Sequence, residues 1–195
     1  MILFTSPPHL NKTMKLAGPL FLLLASCSEA TPVAVEPIRP LPAYSGAVVG
    51  LFDDGIEPEP PIAGFEPGAS PTDSLILRER TELGDWVARV RVVTITSTRS
   101  DAGVSWQIAL HTLETLAGER PAEADWTLRV SDDGAAAGVL RSLEGRLVER
   151  TFIVFLREFA PSDAGGRREL HFHMAGEDQD QLGAVRVAAL LAQVR

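Results

Sequence analysis

Two histidines separated by a single residue, His171 and His173, are the side chains whose type and spacing best suit chemistry. They lie in the alternating segment 169–174, which predicts a β-strand, and residues two apart on a strand project from the same face. Two neighbouring imidazoles can begin a Zn²⁺ or Cu²⁺ site. His111, on the polar face of another predicted strand, is a candidate for the third ligand that a catalytic metal needs.

The simpler alternative gives this strand a structural role. In that arrangement His171 and His173 face water together with Glu169, while the opposite face of the strand points into the core. The side chains on that apolar face are Leu170, Phe172 and Met174.

A second group of candidate ligands is acidic. Asp53, Asp54, Glu57 and Glu59 fall close together in the sequence, and oxygen-rich loops can hold Ca²⁺. Their spacing lacks the regular alternation of an EF-hand loop. A solvated acidic turn is therefore the prediction.

Other chemistries lack a motif. The sequence contains no Gly-x-Ser-x-Gly elbow, no phosphate-binding or dinucleotide-binding glycine pattern and no His-Glu-x-x-His pattern. Trp86, Trp106 and Trp126 share strand faces with aliphatic residues, which favours core positions over a stacking platform for sugars or bases. Arg89 and Arg91 could bind an anion, although a solvated strand face is the simpler interpretation. We therefore predict no catalytic or cofactor-binding residue and leave open whether the chain is an enzyme.

The single cysteine, Cys27, closely follows an apolar run at 16–24. Lys12 and Lys15 precede that run, and a basic start followed by a short apolar core and small residues describes a secretory signal peptide. The apolar core is about half as long as the roughly twenty residues that a membrane-spanning helix needs. We therefore predict that residues 1–26 are removed after export.

Residues 24–27, Leu-Ala-Ser-Cys, resemble the lipobox of bacterial lipoproteins. The resemblance implies that a lipid is attached to the Cys27 thiol, that the bond after Ser26 is cut and that the new amino group is acylated. It also implies a cell-envelope protein anchored to a bacterial membrane, facing the periplasm or the cell surface, because two or more acyl chains anchor a protein stably. Two alternatives stay open: a chance match in an ordinary signal peptide and an uncleaved anchor. Whether translation starts at Met1 or at Met14 is also left open, and both starts give the same mature end.

Length and charge limit the class of protein. Cleavage before Cys27 leaves 169 residues, enough for one domain and a tether. The net charge of the chain is −8, and loss of the two lysines of the signal peptide makes it −10. An acidic body argues against nucleic acid, whose phosphates need a basic surface. The lone cysteine excludes a disulfide within the mature chain, and lipidation would consume its thiol.

Proline content predicts the domain boundaries. Nine of the fourteen prolines fall between 28 and 72, so residues 27–69 are predicted to be the lipidated cysteine and a semi-rigid tether. Within it, 45–55 is apolar and glycine-rich, compatible with a short strand or turn that docks onto the body. Residues 70–195 are predicted to form a single domain.

The domain is predicted to be mainly β, of the α+β class. A short helix over 70–83 precedes five alternating strands, and a helix from about 178 closes the chain. The charged residues of the first helix, Arg80 among them, are expected to face solvent. These elements predict a small antiparallel five-stranded barrel, whose order resembles OB-like barrels, including the netrin type. The expected strands are 86–96, with a bulge or strong coil at 92–93, then 104–111, 126–131, 151–157 and 169–174. A turn at 100–103 predicts a hairpin of the first two strands, and 151–157, apolar on both faces, is predicted to be a central strand covered on both sides.

Anchor, tether and a body without a catalytic motif together predict a lipid-anchored envelope protein that acts as a binding or structural module. Its expected partners are the membrane, through the lipid, and an envelope protein. The alternative is a metal-binding protein or metal-dependent enzyme that uses His171 and His173. Whether a small molecule binds is left open.

Overall fold

A computed structural model describes residues 40–59, 74–101, 103–119, 124–163 and 166–194, all within a compact unit that spans 39–195. The predicted signal peptide and Cys27 lie outside the described residues. The described part has six strands: β1 Gly55–Glu57, β2 Trp86–Ser100, β3 Gly103–Gly118, β4 Asp125–Ser131, β5 Thr151–Phe159 and β6 Glu169–Gly176. It also has four helices: α1 Ala47–Leu51, α2 Ser74–Leu83, α3 Ala137–Leu147 and α4 Gln179–Gln193. None of these described helices combines the length and apolar character needed to cross a bilayer.

The six strands form one curled sheet, a half-barrel with the order β1-β6-β5-β2-β3-β4. Neighbouring strands are antiparallel except β1, which pairs in parallel with β6. The predicted mainly-β α+β class is confirmed. The five predicted strands are present and antiparallel to their neighbours among them, but the sheet is a six-stranded, mixed half-barrel and not a five-stranded antiparallel barrel. The sixth strand, β1, was missed because its three residues are too few to show an alternating pattern.

Apolar side chains cover both faces of the sheet. The face that packs against α3 carries Ile108 and Phe152, and the face that packs against α1, α2 and α4 carries Ile153 and Phe155. Strand β5 contributes to both clusters, as its continuous apolar sequence predicts. Helices therefore bury the sheet from both sides.

The long strands β2 and β3 curl where their pairing slips. The register shifts three times along the pair, and the last shift lies between Val92 and Thr94, at the predicted bulge. An extra residue on one strand increases the local twist. Ser100 pairs with Gly103 at the other end, which confirms the predicted hairpin.

Helix α4 lies against the sheet as predicted. Its Leu182, Val185 and Ala189 are buried, and Asp178 caps its start by accepting a hydrogen bond from the Gln181 N–H at 2.7 Å. The apolar stripe of the helix is wider than this contact, so four further apolar residues stay exposed. They are Val187, Leu190, Leu191 and Val194.

Residues 40–59, which the proline pattern assigns to a tether, belong to the folded unit. They supply α1 and β1, and the Ala160 N–H donates to the Pro42 carbonyl at 2.8 Å. Phe52 is completely buried. The other residues of the predicted tether, 27–39 and 60–69, lie outside the described part of the chain.

Gly118, at the end of β3, occupies a position that excludes a side chain. Its φ is +77°, and a Cβ there would overlap the Asp85 carbonyl oxygen. We therefore expect Gly118→Ala to lower the free energy of unfolding by about 1–3 kcal/mol, measured by urea denaturation. Gly145→Ala is the matched control, since Gly145 lies in α3 with open space around it, and alanine there should raise stability by up to about 1 kcal/mol. Equal losses in both variants would contradict the strain assigned to Gly118.

Candidate functional site

The acidic turn and the histidine pair meet at one edge of the sheet. Strand β1 runs beside β6, with Gly55 opposite His173. The turn that leads into β1 is held by Asp53, whose Oδ1 accepts from the Gly55 N–H at 3.0 Å. Asp54 follows with φ +55°, a left-handed conformation in which aspartate is enriched several-fold. The turn therefore directs both aspartates toward β6.

Asp54 is bonded to β6 through its main chain and its side chain. Its N–H donates to the Phe172 carbonyl at 2.9 Å, and its Oδ1 accepts from the Phe172 N–H at 3.0 Å. Its Oδ2 lies 2.8 Å from Nδ1 of His171. Its carbonyl accepts from the N–H of Ala136, just before α3, at 3.1 Å. One residue thus joins the turn to β6 and to the approach to α3.

His173 lies between two carboxylates. Its Nδ1 is 2.8 Å from Oδ1 of Asp53, and its Nε2 is 3.5 Å from Oε2 of Glu57. The side chain of His173 is only 1% exposed. Because an ionised carboxylate can only accept a hydrogen bond, Nδ1 carries the proton in this contact.

His171 has a similar environment and an aromatic cover. Its Nε2 lies 3.6 Å from Oε2 of Glu169, on the side opposite Asp54. The ring of Tyr44 stacks on the imidazole, with centroids 3.6 Å apart and an interplanar angle of 8°. The Tyr44 hydroxyl donates to the Phe52 carbonyl at 2.6 Å. Burial raises the pKa of Tyr44, and the negative charge of Asp54 raises it further, so the hydroxyl keeps its proton.

Arg80 is the basic member of this cluster. The expectation that it faces solvent is wrong: it is 4% exposed, and its Nε donates to the Leu51 carbonyl at 2.9 Å. Burial lowers the pKa of its guanidinium, while the charges of Glu57 and Asp53 oppose that shift. The charged residues of α2 predicted a solvent-exposed face. In the folded protein α1 covers that face, so Arg80 is buried by tertiary packing that the local sequence does not show.

These charges lower the pKa values of two carboxyl groups. Burial by itself would raise the pKa of Asp53, but the hydrogen bond and charge of His173, the Gly55 N–H and the charge of Arg80 hold it below its usual 3.8. For Glu57 the interaction with His173 is the largest influence, and it outweighs burial to hold the pKa below 4.5. Both groups are therefore charged partners of His173 at neutral pH.

The two imidazoles do not converge on one position. Each Nδ1 contacts a different aspartate, and each Nε2 faces a different glutamate. His111 lies on β3, 2.6 Å from Asp125, and β2 and β5 separate its strand from β6. At about 4.8 Å per strand spacing, that separation keeps it far from the pair. Within the described ranges, no group of three or more His, Cys, Asp or Glu side chains is arranged to hold a metal ion.

The exposure of β6 differs from the prediction. Phe172 and Met174 are in the core as predicted, but Leu170 is 54% exposed and His173 is buried. The face expected to meet water is covered by residues 44–57. Alternation along a strand distinguishes its two faces, but it does not show which of them another segment will cover.

Arg89 and Arg91, for which anion binding and a solvated strand face were the alternatives, each lie beside a carboxylate of the protein. Arg89 Nε donates to Oε2 of Glu177 at 2.6 Å, and Arg91 Nε lies 3.8 Å from Oε2 of Glu149. Each arginine therefore has its own carboxylate. The one predicted modification site, Cys27, lies outside the described residues.

An aspartate–histidine pair can serve as a catalytic base when its outer nitrogen faces a nucleophile. Here the outer nitrogens of His171 and His173 face glutamates. The geometry fits a structural role, and we call Asp53, Asp54, His171 and His173 the histidine clamp, since they join residues 44–57 to β6. Comparison with protein-family models finds no match, and comparison with curated proteins finds no similar sequence.

We expect the pair formed by buried His173 and half-buried Asp53 to contribute more stability than an exposed pair of the same residue types. Alanine double-mutant cycles should give a coupling free energy of about 1.5–3 kcal/mol for Asp53 and His173. The exposed Asp125 and His111 are the matched control, with about 0.2–1 kcal/mol, because water screens their charges. Urea denaturation at neutral pH measures both, and equal coupling energies would count against the clamp.

The lowered pKa of Glu57 makes stability sensitive to acid. A carboxyl group with a lowered folded-state pKa stabilises the fold above its unfolded value, and this contribution is lost as the pH falls through its folded value. We therefore expect the free energy of unfolding to decrease from about pH 4.5 downward, and Glu57→Gln to make that decrease less steep. Urea titrations at a series of pH values measure the slope.

The control for this pH dependence is Glu144→Gln, which changes an exposed glutamate of α3 and should keep the wild-type slope. Burial raises the pKa of Glu59, so its contribution to the pH dependence of stability has the opposite sign to that of Glu57. Changing one glutamate at a time distinguishes the two contributions. An unchanged slope in Glu57→Gln would show that Glu57 is not coupled to folding.

Proposed function

We propose that the chain is a bacterial lipoprotein, anchored through Cys27 to a membrane of the cell envelope, and that its body is a binding or structural module. The observation that carries the proposal is the sequence Leu-Ala-Ser-Cys at 24–27, placed after an apolar run and two upstream lysines. The four-residue box, the apolar run and the upstream lysines are three separate features, and together they mark the single cysteine of the sequence as the lipid attachment site.

The charge of the body supports anchoring by lipid. Without residues 1–26 the net charge is −10, and anionic lipid repels such a surface. Each buried CH₂ of an acyl chain contributes about 0.8 kcal/mol. A cysteine that carries two or more acyl chains would therefore anchor the body stably to a membrane. Electrostatic attraction would not hold this acidic body there.

The spacing between anchor and body supports a partner in the same envelope layer. Twelve residues, 28–39, separate Cys27 from Pro40, where the described body begins. A chain in the polyproline II conformation spans about 3.1 Å per residue, so the thirteen steps from Cys27 to Pro40 would span about 40 Å. Pro42 itself is bonded into the fold, because its carbonyl accepts from the Ala160 N–H. The body would therefore act within a short distance of its membrane, where an envelope protein is the proposed partner.

The internal contacts of the body support a binding or structural role over catalysis. The histidine clamp uses each imidazole to hold a carboxylate, and Arg80 holds the end of α1 through the Leu51 carbonyl. These titratable groups join segments that are distant in the sequence. These groups therefore stabilise the edge of the sheet.

Protein made in a bacterial host should yield an N-terminal peptide that begins at Cys27 and is heavier than its sequence by acyl chains. Cys27→Ser should remove the added mass and release the protein from the membrane fraction, because the thiol that accepts the lipid is gone. Ser28→Ala, outside the lipobox, is the control and should keep the lipid. Mass spectrometry of the peptide is the test, and an unmodified Cys27 in the wild type would overturn the proposal.

A further inference from the structure

A cleft of about 540 Å³ opens at the end of the sheet where β2 begins and β3 ends. Its wall includes Trp86 and Trp126, with Leu156 and Leu170 from β5 and β6. The volume lies within the range of about 300–1,000 Å³ that is typical of small-molecule sites. None of these four side chains takes part in the histidine clamp, so the cleft is a separate candidate site.

The aromatic wall of the cleft is fixed from inside the protein. Trp86 and Trp106 are buried as predicted, whereas Trp126 is partly exposed. The rings of Trp86 and Trp126 meet edge to face, with centroids 5.0 Å apart at 63°. Trp126 Nε1 donates to Thr112 Oγ1 at 3.1 Å, which fixes the orientation of the indole. A preorganised aromatic surface loses little entropy when a ligand binds.

The charged side chains that line the cleft are all acidic: Asp85, Glu119 and Glu158. Asp85 is held in place because its Oδ2 accepts from the Glu158 N–H at 2.8 Å. Glu158 also meets Arg168 at 3.0 Å, in an exposed pair that water screens. Among the described residues, neither Asp85 nor Glu119 forms an ion pair. The cleft therefore combines aromatic faces with negative charge.

We propose that this cleft binds a small organic ammonium ion. An ammonium group is attracted to the face of a tryptophan within about 6 Å of the ring, and the surrounding carboxylates add to that attraction. A neutral sugar would use the aromatic face but would gain nothing from the acidic rim. An anionic ligand would be repelled by it. The proposal is independent of lipid attachment at Cys27.

Choline is the probe for this proposal, and 3,3-dimethyl-1-butanol is its neutral counterpart of the same shape. Titration of the purified full-length protein with each should be followed by tryptophan fluorescence. We expect a saturable change with choline and an affinity about tenfold lower for the neutral alcohol, the size of a cation–π contribution. No saturable response to choline, or equal affinity for the two compounds, would overturn the proposal.

Variants assign the binding to the cleft. Glu119→Gln removes one exposed charge and should weaken choline binding about threefold, while Glu144→Gln, on α3, should leave it unchanged. Trp126→Leu should weaken binding about tenfold, followed by isothermal calorimetry because the fluorescent reporter is altered. Circular dichroism confirms that each variant is folded. Wild-type affinity in both Glu119→Gln and Trp126→Leu would overturn the assignment to this cleft.

Discussion

A buried imidazole must have a polar partner, and this requirement organises the edge of the sheet. His173 is almost completely buried, and Asp53 supplies the acceptor for its Nδ1. Strand β1 has only three residues, so few ladder hydrogen bonds hold it. The histidine clamp adds two side-chain contacts, from Asp53 to His173 and from Asp54 to His171. These contacts stabilise the pairing of the short parallel strand β1 with β6.

The clamp also explains how charges are tolerated inside the protein. Two carboxylates, Asp53 and Glu57, approach His173, and Arg80 brings a positive charge from α2. Burial disfavours each charge separately, whereas their mutual attraction and hydrogen bonds compensate. His173 and Arg80 are buried, Asp53 is half-buried and Glu57 is exposed, so removal of a carboxylate weakens the compensation of the buried groups. The carboxylates, the imidazoles and Arg80 therefore act as a unit that ties α1, α2, β1 and β6 together.

The N-terminal part of the described chain contacts both the cleft and the histidine clamp. Leu41 lines the cleft, and Tyr44 stacks on His171 three residues later. On β6, Leu170 faces the cleft while His171 belongs to the clamp. Adjacent residues of a strand point to opposite faces, so one strand serves the packing of the edge and the wall of the cleft. The segment that would follow the lipid anchor is thus part of the architecture around the cleft.

Local patterns in the sequence determined the α+β class, the bulge in β2, the hairpin between β2 and β3, the doubly covered β5 and the helix α4. Each of these depends on the spacing of apolar and polar residues within a short window, which is set by the geometry of helices and strands. Only the tertiary structure decided that Asp53 pairs with His173 and Asp54 with His171, across 120 and 117 residues. It also decided that Arg80 is buried and that β1 exists at all. Periodicity assigns a side chain to a face, but the segment that comes to cover that face is chosen by the packing of the whole chain.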